Sequence, residues 1–218
     1  MLAATDQAGL RAGDRRCVDS RTAALQTSTM KLNQFSHFAL ALAAATLNCS
    51  AWAQIAPAPL PVQSVPSLDV QRYAGQWFEQ TRLPNFFQSG CLGDVVVNYQ
   101  VQADASITLV NRCREANEKV NQVQGRAVRA DGDTSGARLK VSFLPRWLQW
   151  VPFTQGDYWV VLLDKDYRYA VVSEPSRKFL WVLSRAPVMD AVTYDAVLAE
   201  LKLKGYPVDD LVRTPQRP

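Results

Sequence analysis

The sequence predicts an all-β fold, an eight-stranded up-and-down antiparallel barrel with a C-terminal α-helix packed on its outside. Three observations carry this. Short β-branched or aromatic runs at 76–82, 93–100, 106–113, 121–129, 138–143, 157–163, 168–173 and 179–184 are separated by turn signals. The connections are of hairpin length and hold no long helical period, which argues against parallel strands joined by crossover helices. Trp77, two residues after Gly75, enters the first run, and Arg185 leaves the last. A guanidinium laid over the indole face can seal one end of such a barrel while the other stays open.

Taken in chain order, residues 1–53 do not read as folded structure. Met30 reads as the start of translation and 1–29 as an upstream extension without apolar periodicity. Lys31, the apolar run from Phe38 to Leu47 and Ala51-Trp52-Ala53 form a secretory signal over 30–53. Its apolar run, about ten residues, is half what a membrane span needs. A second reading makes Cys49 the lipid-bearing cysteine of a lipoprotein, although Asn48 stands where a small residue is expected. Residues 54–66 carry Pro57, Pro59, Pro61 and Pro66 and read as an extended linker. The barrel is expected over 67–213, with Ser67–Tyr73 as a short helical plug at the closed end.

The second and third runs flank a turn at 102–106. If Tyr99 faces Ala105, the same register sets Cys91 opposite Cys113, and a cross-strand disulfide follows. Two buried free thiols are the other reading. An even pair in an exported chain favours the bridge. Alternation along the hairpin puts Val95, Val97, Tyr99, Ile107, Leu109 and Asn111 on the inner face and Gln100 and Arg112 in water. After the last strand, Asp190 can cap a helix whose Tyr194, Val197, Leu198 and Leu201 fall on one stripe, and Gly205 can end it.

These residues resemble the lipocalin family. Gly75-Gln76-Trp77 with Phe78-Glu79 is similar to its first signature, and Asp164–Ala170 to a loose form of the second. Leu180–Arg185 with Ala186-Pro187 is similar to the third. Within the family, Leu139–Phe143, Gly156–Trp159 and Glu174–Arg177 resemble the bacterial outer-membrane and apolipoprotein D-like members. The resemblance implies a cup that binds a fatty acid or lysophospholipid in the periplasm or at the outer membrane. It also implies a ligand-binding set of Tyr99, Asn111, Phe143, Tyr158, Trp181 and Leu183, which agrees with the alternation. Leu139 and Val141 follow from the same parity.

Burial of an acyl chain, at about 0.8 kcal/mol per methylene, suffices for micromolar affinity without an ion pair. Tyr99, Tyr158 and Asn111 would orient the polar end. The long loop from Leu144 to Phe153 exposes Trp147, Trp150 and Phe153, which are expected to touch a membrane surface or a second subunit in a homodimer, or to fold down as a lid.

Other function classes lose ground on composition. The formal charge of +4 owes much to Arg11, Arg15, Arg16 and Arg21 in the leader, and no Lys/Arg cluster interleaved with aromatics remains for nucleic acid. The single histidine is His37, inside the leader, so the exported chain has no imidazole for a nucleophile's base or a His-bearing metal site. Asp164 and Asp166 are the nearest thing to a catalytic carboxylate pair and read as solvated turn residues. The chain is therefore expected to be a binder, without cofactor or metal, and not an enzyme. An envelope protein acting by surface contact is the alternative.

Overall fold

A computed structural model describes residues 60–148, 151 and 154–217. The leader with Met30, His37 and Cys49 lies outside the described residues, as do Trp150 and Phe153.

Eight strands alternate direction along the chain: β1 (Gly75–Arg82), β2 (Gly93–Val101), β3 (Ile107–Arg114), β4 (Val120–Arg129), β5 (Arg138–Ser142), β6 (Gly156–Leu163), β7 (Tyr169–Ser173) and β8 (Leu180–Ser184). Each pairs with its neighbour, and β8 and β2 both pair with β1, which closes the barrel. Alternation gives the wall two apolar faces. Val172 and Leu183 point inward with Val97, Tyr99, Leu109 and Leu139, while Val171, Leu180 and Val182 point outward under the helix α2 (Ala191–Leu203). Asp190 caps α2 by accepting the Thr193 N–H at 2.9 Å. Its buried Tyr194, Val197 and Leu201 cover β6, β7 and β8 from outside.

The β2–β3 register corrects the expectation. Val101 opposes Ile107 and Tyr99 opposes Leu109, not Ala105. The turn decides this: the Gln102 N–H donates to Ser106 O, Ala105 takes a φ of 61°, and the Asp104 carboxylate holds the Ser106 N–H. The slip is four residues, an even number, so every side chain keeps its expected face. The disulfide forms nonetheless, with Cα atoms 5.5 Å apart. It does not close a continuous ladder. The ladder shifts between Gly93 and Val96, and Cys91 precedes β2, reaching Cys113 beside the Leu92 N–H bond to Arg114 O.

Three further differences matter for the site. Strand β5 ends at Ser142, so Phe143 lies just beyond it. Residues 60–66 are docked on the barrel: the Val65 N–H donates to Val160 O, and Val62 and Val65 pack against apolar clusters. The chain past Leu211 forms a two-residue strand, β9 (Val212–Arg213), on the upper part of β1. Its continuation wedges between β1 and β2 where these separate. The Thr214 N–H donates to Gln80 O, and the Gln216 amide donates to both Glu79 O and Val95 O.

Candidate functional site

The closed end is built around Trp77, which is fully buried. The Arg185 guanidinium lies 3.9 Å from its ring centroid. The same group donates to Gln76 O, Arg72 O and Ala74 O at 2.7–2.8 Å. Trp77 Nε1–H donates to Tyr73 O at the end of the short helix α1 (Val70–Tyr73), whose cap is the Asp69 carboxylate. One arginine thus ties plug, first strand and last strand together. Asp164, expected to be solvated, instead accepts from the backbone N–H groups of Asp166 and Arg168 and from Nε and Nη2 of the Arg168 guanidinium. The Arg168 bond, with the backbone donors, holds its carboxyl below the usual range. It is a turn lock, with its oxygens engaged.

Above this plug stand three tyrosines. Tyr158 OH lies 2.6 Å from Tyr99 OH and 2.8 Å from Tyr73 OH, and the Tyr73 ring packs at a tilt against both Trp77 and Tyr99. Burial pushes all three phenols above their ordinary pKa, so they remain neutral hydroxyls at physiological pH. Two hydrogen bonds among three hydroxyls consume two of the three protons. At most one proton remains uncommitted, so Tyr99 and Tyr158 are less free to donate than the sequence suggests.

Exposure of inward-facing residues changes with height. Near the floor, Val97, Leu109, Leu139 and Leu183 are buried. Higher up, Asn111 and Trp181 are partly exposed, and Val123 and Phe143 are 44% and 48% exposed. The barrel is filled at its base and open at its top. The opening continues down one side, because β4 pairs with β5 only over Arg126–Arg129 and Leu139–Ser142. The Phe143 ring rests against the bare backbone of Gly125, where a Cβ would lie 2.8 Å from the ring and push it aside. A groove of about 710 Å³ runs along the outer wall beside this seam, bordered by the outward-facing Thr108, Gln124 and Arg126 and by Phe143, Leu144 and the Gln102–Asp104 turn. A second, of about 560 Å³, lies beside α1 under Ile107, Ala127 and Leu139. Of the six expected ligand residues, five share the inner face, and Phe143 leans over the seam.

At the rim, Phe87, Phe179 and Trp181 form an aromatic cluster, with Phe179 and Trp181 stacked at 6.1 Å. Phe86 and Phe87 are exposed, as is Trp147 in the loop after β5. Beneath the cluster lies a polar network that the sequence reading did not single out. A β1 bulge between Glu79 and Thr81 turns Gln80 and Thr81 outward and leaves Glu79 and Arg82 facing inward, opposite Leu183 and Trp181. Arg82 Nη1 donates to Glu79 Oε1 at 2.9 Å, and Gln88 Nε2 donates to Glu79 Oε2 at 2.8 Å. Gln88 also accepts from Trp181 Nε1 and from Asn85 Nδ2. The available signal was alternation from Trp77, which sets a carboxylate on the inner face two residues later. The tail's share, Thr214 Oγ1 on Glu79, had no signal in strand periodicity. The arginines Arg112 and Arg114 face outward and bind Gln122 and Asp94.

A family model for the lipocalin-like domain matches residues 68–216. Temperature-induced lipocalin-1 of Arabidopsis thaliana is 36% identical over 156 residues, which is 71% of this chain and 83% of that protein. The outer membrane lipoprotein Blc of Citrobacter freundii is 35% identical over 155 residues, 71% of this chain and 82% of its own. Among solved structures, insecticyanin from the tobacco hornworm Manduca sexta superposes with a TM-score of 0.58 at 17% identity, covering 73% of this chain and 87% of that one. That last likeness is one of fold.

Proposed function

Because the chain belongs to the lipocalin family, whose members bind or carry hydrophobic ligands and are not in general enzymes, we propose that it takes up one acyl chain of a fatty acid or lysophospholipid through the open end of its barrel. The observation that carries this reading is the gradient along the inner face. Apolar side chains are packed below and accessible above, under an aromatic rim. An acyl tail entering there would cover Trp181, Leu183, Asn111 and Phe143, with Tyr99 and Tyr158 beneath it. Withdrawal of the tail from water supplies the affinity, and the polar groups fix orientation.

The cell envelope is the proposed location. The leader pattern at 30–53 supports it, as does the likeness to a protein named as an outer membrane lipoprotein. Contact with a membrane surface through Trp147, Trp150 and Phe153 fits the 72% exposure of Trp147, which also weighs against that residue acting as a lid. A homodimer through the same rim is the competing arrangement.

Displacement of a fluorescent fatty acid from the delipidated protein by unlabelled fatty acid and lysophospholipid tests the central claim. One site per chain at micromolar affinity is expected, and absence of displacement up to millimolar concentrations would refute it. Liposome co-sedimentation of a Trp147→Ser/Trp150→Ser variant indistinguishable from wild type would dispose of the membrane contact.

A further inference from the structure

We propose that Arg82 anchors the anionic end of the ligand, seating carboxylate or phosphodiester oxygens at the rim with the tail pointing down the barrel. This rests on the lipid-binding reading above and adds the headgroup subsite. Arg82 follows the β1 bulge, faces inward opposite Trp181, and its side chain is 11% exposed. Its guanidinium is used unevenly. Nη1 donates to Glu79 Oε1 at 2.9 Å and Thr214 Oγ1 at 3.2 Å, and Nη2 reaches Gln88 O at 3.4 Å. Nε is buried without a hydrogen-bond partner.

A buried donor left unpaired is costly, and here it belongs to a charged group. Nε–H and the nearer Nη2–H form one straight edge of the planar guanidinium, the edge that meets two oxygens of a carboxylate or phosphate side by side. Glu79 holds the opposite side through Nη1, and its own carboxylate is gripped by Gln88 and Thr214, so the free edge is held in a fixed direction. The tyrosine floor, with at most one spare proton among three hydroxyls, is the poorer match for the several acceptor sites of an anionic head. The aromatic cluster of Phe87, Phe179 and Trp181 would then stand over the headgroup, and the inward wall below Trp181, beginning at Leu183, would take the first methylenes.

Isothermal titration of dodecanoate, 1-dodecanol and a dodecanoyl lysophosphatidylcholine against wild type, Arg82→Gln and Glu79→Gln/Arg82→Gln tests the assignment. The double variant leaves no uncompensated buried charge and serves where the single one does not fold, judged by a thermal melt. Affinity for dodecanoate and the lysophospholipid is expected to fall about tenfold or more, with 1-dodecanol unchanged. A loss confined to dodecanoate or to the lysophospholipid identifies a carboxylate or a phosphodiester as the head that Arg82 takes. Equal losses for all three ligands, or no loss for either dodecanoate or the lysophospholipid, would overturn the role of Arg82 while leaving lipid binding in place. Wild type that binds none of them would remove the lipid-binding reading itself.

Discussion

Arg185 joins four carbonyl oxygens and an indole face through one planar group, a geometry a lysine cannot reproduce. Replacing it with Ala is expected to cost about 2–4 kcal/mol of unfolding free energy, because the carbonyls of Arg72 and Ala74 lose a charged donor and the stacking is lost. Arg185→Lys should recover less than half of this in urea denaturation. Full recovery would mean that charge alone, without the fork, holds the base. The Trp77–Arg185 pair was legible as two residues at the ends of the strand series. The inward turn of Arg82 was not, because it depends on an extra residue in β1 that shifts parity after Glu79, and strict alternation cannot register a bulge.

The turn between β4 and β5 shows how one element is fixed by a carboxylate. Asp133 accepts from the Ser135 N–H, the Gly136 N–H and the Arg138 guanidinium, and Ser135 O in turn receives the Leu68 N–H of the docked N-terminal segment. Burial works against ionisation, but the Ser135 and Arg138 bonds prevail and hold the carboxyl at about 2. The folded value lies below the unfolded one of about 4, so the contribution is fully present above pH 4 and disappears as the pH falls toward 2. Asp133→Asn is expected to lower stability at pH 7 by about 1–2 kcal/mol after solvent screening, and to flatten the pH dependence between 4 and 2. Chemical denaturation across that range reads both effects, and an unchanged slope would contradict them. Elements with a strong period, such as α2 and the inner faces of β2 and β3, were legible because repetition averages over local irregularity. The hairpin register was not, because it is set by the conformation of five turn residues that share no period with the strands.

At the scale of the whole molecule, the closed end is held by hydrogen bonds and stacking, and the open end by two ties. Cys91–Cys113 joins the segment just before β2 to the end of β3, and the C-terminal segment bridges β1 and β2, with Arg217 on Asp94 and Glu118. Separated by 22 residues in sequence, the cysteines restrict the unfolded chain. Cys91→Ser/Cys113→Ser is expected to lower stability by about 3 kcal/mol. Ligand affinity should fall as well, since the tie borders the rim. Unchanged displacement of a fluorescent fatty acid would show that the rim keeps its shape without the bridge. The sequence by itself determined the all-β class, the number of barrel strands, which faces are apolar and which two residues close the base, because each is written in short-range alternation or in fixed-order motifs. Only the tertiary structure decided where β1 bulges, how the tyrosine hydroxyls spend their protons, and that the last residues return to grip Glu79. Those features arise from side chains up to 135 residues apart competing for the same few donors and acceptors, and no local pattern records the outcome of that competition.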